Sequence, residues 1–319
     1  VDLRAHDGRQ RSELAARRDG RLSPVALAFS DIPGWDRDDH AAAWAAFCVT
    51  ADLSGLAPVA TDDAKAAFEA LFEPVEIAAE GTAHFTGYYE PELQGAREKS
   101  ARFAYPLYAK PAGIGSEKPW FTRVEIVEGD LLAGLELVWL DNPIEAFLAQ
   151  VQGSVRIRFE DGGSLRLGYD GKNGHPYRSI GKELVARGVA PVEEMTPDRI
   201  RQWGHESPGE VQALLNHNPS FVFFRVLDLP EESGPLGATG RPVSAGRSLA
   251  VDPDVVALGS PVWIDCPGFG QRLMVAQDIG SAIKGAGRGD IFTGSGPQAG
   301  RIAGAINTKG RMIALRRRA

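Results

Sequence analysis

Cysteine, methionine and long apolar runs are scarce in this chain of 319 residues, and each scarcity removes a class of explanation. Two cysteines, Cys48 and Cys266, cannot make a disulfide framework; they either pair once in an oxidising compartment or sit as isolated thiols. No apolar stretch approaches the roughly 20 residues of a membrane span. Residues Val1 to Gly20 are polar and charged, unlike a secretory leader, so either the protein is intracellular or a leader has been removed. His6, His40, His84, His175, His205 and His217 are scattered, and with neither HExxH nor CxxC present no metal site and no cofactor are expected. Acidic residues outnumber basic ones by 42 to 35, which argues against nucleic acid as a partner. The remaining composition, 43% hydrophobic and 24% charged, is that of a globular chain with material for one large or two ordinary domains.

Residues 1–35 lack clear periodicity and read as an approach segment, with a turn at Ser30–Trp35. Asp36–Leu53 predicts a helix, because acidic residues crowd its first turn and Trp44, Phe47 and Cys48 share a face. Thr61–Phe72 predicts a second helix, closed before Pro74. HFTGYYEPELQGA (84–96) reads as an aromatic strand interrupted by Gly87 and stopped by Pro91, so the adjacent Tyr88 and Tyr89 point to opposite faces. A tyrosine ring stacking on sugar C–H faces, with Glu90 accepting from hydroxyls, suits a glycan cleft; the same cluster also suits a core.

Residues 103–140 read as extended. Asn142-Pro143 opens a helix with an apolar face of Ile144, Phe147, Leu148 and Val151 and a stop at Gly153. A hairpin over Val155–Phe159 and Ser164–Tyr169 precedes the Gly- and Asn-rich loop GYDGKNGHPYRSIG (168–181). Further helices are signalled at about 179–187, from Thr196-Pro197 and from Ser207-Pro208, where Ser207 and Glu210 have capping-box spacing. From Ser220 short strands take over, at 221–227, 247–251, 261–265, 272–277, 290–292 and 311–315, with one helix at Pro297–Ala305. Gly and Pro between them predict a small β-barrel.

The stretch MVAQDIGSAIKGAGRGDIFTG (274–294) draws attention for chemistry. An apolar run delivers Asp278 into a loop punctuated by Gly280, Gly285, Gly287 and Gly289, and Asp290 opens the next apolar segment. Asp252 in AVDPDVVALGS stands in a comparable place, so a closed barrel could gather two or three carboxylates. Asp278 and Asp290 could equally cap turns. Ser281 and Lys284 satisfy SxxK, the nucleophile signature of penicillin-binding serine acyltransferases, which needs a helix beginning at Ser281; SDN-like and KTG elements and GxSxG are missing.

These segments together resemble a known family. FTGYYEPELQGA, QVQGS, GYDGKNGHPYRSIG, NPSFVFF, LAVDPDVVALGSPVWI, VAQDIGSAIKG and GRGDIFTGSGPQAG, in that order from about residue 84 to 315, are similar to the membrane-bound lytic murein transglycosylases of type A, whose terminal part is the three-Asp domain. Ser281 stands where the family commonly has Gly, and the loop before Asp290 is slightly longer. The resemblance implies a mainly β fold: a double-psi β-barrel built from both sides of an insert, with N-terminal helices, plus an inserted β-rich domain. The expected division is 1–90 with 225–319 as the catalytic barrel and 91–224 as the glycan-binding insert. The implied activity is non-hydrolytic cleavage of the β-1,4 bond between N-acetylmuramic acid and N-acetylglucosamine in peptidoglycan, leaving 1,6-anhydro ends. A non-catalytic glycan-binding module of the same fold is the alternative.

The resemblance further assigns catalysis to Asp290, with Asp278 and Asp252 in support. Tyr88, Glu90, Gln152, Ser154, Asn173 and Asp252 are the expected substrate-binding residues, because a polysaccharide cleft needs stacking faces and convergent hydrogen bonds. The expected partner is a peptidoglycan glycan strand, met by a monomer in the periplasm, with lipid anchoring to the outer membrane left open. To donate a proton, Asp290 must have a pKa raised by burial or by a nearby anionic Asp278.

Overall fold

The computed structural model describes residues 25–57, 60–115 and 118–318, so most of the expected approach segment lies outside the described residues. Strand β1 (Val25–Ala26) leads to helix α1 (His40–Cys48), helix α2 (Ala64–Leu71) and the 19-residue strand β2 (Phe72–Glu90). The helix expected over 36–53 is broken into a 3-10 turn at Trp35–Arg37, α1, and a second 3-10 turn at Ala51–Ser54. Asp39 resets the start, its carboxylate accepting from the Ala42 N–H at 2.9 Å, and Asp63 caps α2 in the same way through Ala66. Trp44, Phe47 and Phe68 interlock with Phe72, whose ring meets Phe47 at 5.6 Å and 88°. Pro74 does follow the helix, but the chain passes directly into β2, and the Pro74 carbonyl accepts from Leu27 N–H.

The insert runs through β3 (Glu92–Ala96), β4 (Tyr105–Tyr108), α3 (Arg123–Glu128), β5 (Glu136–Leu140), α4 (Pro143–Gln152), β6 (Ser154–Phe159), β7 (Ser164–Lys172), α5 (Ile180–Ala186), α6 (Pro197–Glu206), α7 (Val211–Asn216) and β8 (Val222–Val226). Its strands form one sheet in the order β4-β5-β3-β6-β7-β8. Helix α4 keeps its expected ends, with the Asn142 side chain accepting from Ile144 and Glu145 N–H and Gly153 left-handed at the stop. Val151 is exposed, yet the buried face is broader than expected, because Ile144 and Phe147 pack among the neighbouring helices while Ala146 and Ala149 pack against the sheet. Helix α3 interrupts a stretch expected to be extended, and Thr122 with Glu125 makes the capping box that opens it. The box expected at Ser207 and Glu210 is not made; a 3-10 turn occupies Pro208–Glu210 and α7 starts without a side-chain cap.

The chain then returns through β9 (Ser248–Ala250), β10 (Pro261–Cys266), β11 (Gly270–Asp278), β12 (Arg288–Ser295), α8 (Gly296–Ala305) and β13 (Asn307–Arg317). Six strands close in the order β2-β12-β9-β11-β10-β13, because β13 pairs back onto β2, while β1 adds to β2 at the edge. Closure is dictated by patterning: Leu249, Val262, Ile264, Met274, Ala276, Ile291 and Met312 pack into one buried cluster with Phe85. Residues 79–82 of β2 bulge from the ladder between the pairs Ala83 with Gly310 and Ala78 with Met312. Helix α8 lies directly on β2 at Gly87, where a Cβ would come within 2.7 Å of the Ala303 Cα. The protein is therefore mainly β, a double-psi barrel with N-terminal helices and an inserted β-rich domain. Cys48 and Cys266 are both free thiols. No helix among the described residues is long and apolar enough to cross a membrane.

Candidate active site

Alternation along β2 builds one wall of the site. Phe85, at an odd position, is buried in the barrel, and Gly87 and Tyr89 lie against α8. The even positions His84, Thr86, Tyr88 and Glu90 form a polar row on the other face. Strand β12 lies parallel beside it, with Asp290 opposite Thr86 and Phe292 opposite Tyr88. Next comes β9, whose Ala250 is the register partner of Asp290 on one side and of Asp278, at the end of β11, on the other. Two strand spacings put the two aspartate Cα atoms about 10 Å apart, with only a methyl group between them.

Asp290 is half-buried. Its Oδ1 accepts from Thr86 Oγ1 at 2.5 Å, and Thr86 Oγ1 in turn accepts from Arg288 Nη2 at 2.8 Å. Burial pushes the Asp290 carboxyl up to about 6, helped by the Asp278 charge and opposed by the Thr86 hydroxyl, the Arg288 guanidinium and the nearby His84. Asp278 accepts three hydrogen bonds: from Tyr88 OH at 2.8 Å on Oδ2, and from the Ala238 and Ile279 N–H groups, each at 2.9 Å, on Oδ1. Burial raises its pKa, and those three donors oppose the rise. The Tyr88 phenol, buried next to both carboxylates, is pushed well above its ordinary range, so it remains a donor. Ala238 can approach because Gly237 precedes it; a Cβ there would stand 2.5 Å from the Gln277 carbonyl. Gln277 is wholly buried and anchors the end of β11, donating to Ala46 O at 2.8 Å and Thr50 Oγ1 at 3.0 Å on the N-terminal helical side.

The third aspartate acts on the loop. Asp252 Oδ2 accepts from Gly285 N–H at 2.7 Å, and Oδ1 meets Lys284 Nζ at 3.3 Å. The Gly285 N–H, ahead of Asp254 N–H and Lys284, holds the Asp252 carboxyl below the usual range. The segment from Ile279 to Gly287 is thereby tied down between Asp278 and Asp290, with Gly285 and Gly287 at positive φ and Gly280 and Gly289 in ordinary conformations. Ser281 and Lys284 lie in this irregular loop, with no helix at Ser281 and Lys284 paired to Asp252. The serine acyltransferase reading fails on that geometry.

Glu90, expected to accept from sugar hydroxyls, is fully buried. Arg156 Nε reaches its Oε2 at 2.6 Å, Arg166 Nε its Oε1 at 2.8 Å, and Ser295 Oγ its Oε2 at 2.7 Å. Charge pairing captures it, and the two arginines also donate to the Ser233 carbonyl, so both chain crossings between the sheets are tied at one point. Asn173 is likewise buried and saturated: its amide donates to Phe121 O and Pro219 O and its Oδ1 accepts from Phe221 N–H, each at 2.8 Å. Gln152 Oε1 accepts from Tyr89 N–H at 3.1 Å, linking α4 to β2, and Ser154 begins β6 opposite Gly168, largely covered. The structure thus gathers Asp290, Asp278 and Tyr88, sets Asp252 behind their loop, and places Glu90 and Asn173 elsewhere. Thr86, Arg288 and Gln277 escaped the sequence reading. Thr86 had a signal, its place two residues before Tyr88 on the same face; the Ala238 N–H has no side-chain signature at all.

Residues 84–225 match the family model described as the MltA specific insert domain, and residues 247–316 match the 3D domain. A membrane-bound lytic murein transglycosylase from Agrobacterium tumefaciens superposes with a TM-score of 0.78 at 30% identity, covering 92% of this chain and 98% of that one. The chain belongs to the membrane-bound lytic murein transglycosylase A family. The Escherichia coli K12 family member is 39% identical over 249 residues, which is 74% of this chain and 66% of that protein, so the match spans just under two thirds of that relative. An Escherichia coli structure of the family with bound chitohexaose superposes with a TM-score of 0.76 at 29% identity, covering 94% of this chain and 93% of that one.

Proposed function

We propose that this chain is a peptidoglycan lytic transglycosylase in which Asp290 serves as both general acid and general base. The observation that carries the reading is one half-buried carboxyl, pushed up to about 6, with Oδ1 engaged by Thr86 and Oδ2 free of protein partners among the described residues. Its family membership and a relative's oligosaccharide complex support a glycan substrate. Hydrolytic glycosidases usually place two carboxyls across the scissile bond. Here the second, Asp278, accepts three hydrogen bonds from its own protein, which suits holding geometry better than activating water.

One carboxyl suffices when the substrate supplies the nucleophile. The Asp290 proton passes to the glycosidic oxygen as the C1–O bond of N-acetylmuramic acid breaks, and the ionised carboxylate faces the developing oxocarbenium charge. The C6 hydroxyl then attacks C1 and returns its proton to Asp290, giving the 1,6-anhydro sugar without consuming water. Well-oriented intramolecular attack reaches effective molarities of roughly 10⁵ to 10⁸ M, enough to outrun water. The two sheets are read as two domains, residues 1–90 with 225–319 and residues 91–224, with the glycan lying between them over Tyr88, Gln152 and Ser154. The reading places the protein in the cell envelope, in the periplasm where that substrate is found. Mass analysis of products from purified sacculi tests it: anhydro ends are expected, and products ending in a reducing, hydrolysed sugar would refute it.

A further inference from the structure

We propose that Thr86 and Arg288 form a relay that confines the exchangeable proton of Asp290 to Oδ2. The inference rests on Asp290 being the acid and concerns which of its oxygens does the work. Thr86 has one hydroxyl hydrogen, and its direction is decided by its neighbours. A guanidinium only donates, so the 2.8 Å contact from Arg288 Nη2 obliges Thr86 Oγ1 to accept there. Arg288 is not free to swing away, because Nη1 also donates to Gly289 O at 2.8 Å and to His84 O at 3.2 Å. The Thr86 hydrogen is therefore left pointing along the 2.5 Å line to Asp290 Oδ1.

A neutral carboxyl carries its hydrogen on one oxygen. Placed on Oδ1, it would contend with the Thr86 hydrogen for the same short contact, so the acid form keeps Oδ1 as acceptor and holds its proton on Oδ2. The reaction then cycles one proton through one atom: Oδ2–H breaks toward the leaving oxygen, and Oδ2 later takes the C6 hydroxyl proton. Thr86 and Arg288 exchange no proton; they are positioning residues. The other titratable groups facing Asp290 are His84 and Tyr88 from β2 and Asp278 from β11, and none of these supplies a hydrogen bond to Oδ1.

The test uses the full chain with Thr86→Val, which keeps the shape and removes the hydroxyl, Thr86→Ser, which restores it, and Arg288→Gln. Each is followed by the pH profile of kcat on sacculi and by carbon NMR titration of the Asp290 carboxyl, identified by its absence in Asp290→Asn. Thr86→Val should move the carboxyl midpoint upward from about 6 and lower kcat about tenfold or more with KM little changed, a fraction of what general acid catalysis supplies. Thr86→Ser should recover both. Arg288→Gln should lower kcat although the Thr86 hydroxyl remains, because that hydroxyl is then free to accept from a proton on Oδ1. An unchanged midpoint and kcat in Thr86→Val, or full kcat in Arg288→Gln, overturns the relay; should Arg288→Gln fail to fold, the Val and Ser pair decides. Lytic activity surviving in Asp290→Asn would instead refute the general-acid reading, and the NMR titration reports on the relay either way.

Discussion

Asp278 and Asp290 flank Ala250 from opposite sides, each in register with it, so a three-residue strand sets the separation of the two carboxylates. The arrangement gives them unequal surroundings: three donors on Asp278 and one on Asp290. Asp290→Asn should fold, bind glycan and release no anhydro-muropeptides. Asp278→Asn should keep measurable turnover, reduced about 10- to 100-fold, because on the proposed mechanism it disturbs the site without removing the acid. Equal and complete loss in both variants would reverse this ranking.

The raised pKa of Asp290 makes a stability claim with a definite sign. Folding favours the neutral carboxyl, a contribution fully present below the ordinary value of 3.8 and lost as pH rises through about 6. Asp290→Asn lacks that dependence. Relative to its position at pH 4, the variant should gain roughly 1–3 kcal/mol on wild type by pH 7.5, measured as denaturant midpoints across pH. A pH-independent difference would mean that Asp290 titrates normally.

Asp252 is expected to act through the loop it holds. Asp252→Ala frees the Gly285 N–H and Lys284, so hydrogen exchange should accelerate between Ile279 and Gly287 while the barrel strands stay protected. Turnover should fall with little change in global stability. Unchanged exchange in that segment would show that the glycines fix the loop unaided.

Glu90 predicts the opposite profile. Replacing Arg166 by Met leaves one fully buried carboxylate short of a partner, and such losses cost about 3–5 kcal/mol. Arg166→Met should therefore be among the most destabilising single changes in the protein. A shift under 1 kcal/mol would show the buried charge finding water or another donor.

What the sequence made legible follows from which signals are local. The caps at Asn142 and Gly153 and the hairpin read over Val155–Phe159 and Ser164–Tyr169 depend on residues within a few positions; the caps stand as read, and the hairpin forms with strands Ser154–Phe159 and Ser164–Lys172. The T-x-x-E at Thr122 is equally local, and its capping box opens a short helix inside a stretch whose wider pattern is extended. Glu90 illustrates the other limit: only the fold brings Arg156 and Arg166 to it, so an exposed, sugar-binding carboxylate and a buried, paired one look alike in one dimension. The same holds for β2, whose first half had no visible partner because β13 supplies it from the far end of the chain.

That last pairing fixes an order of events during synthesis. His84 and Asn307 bond across 223 residues, so β2 leaves the ribosome long before either strand that closes on it exists. At about 5–20 residues per second the wait is on the order of 10 to 45 s, during which Phe85 has no barrel to enter. The insert, whose sheet pairs only segments within 92–226, can complete itself in that interval. The nascent chain therefore carries an open strand with a finished insert behind it, and the candidate active site, which needs β12 beside β2, comes into existence late.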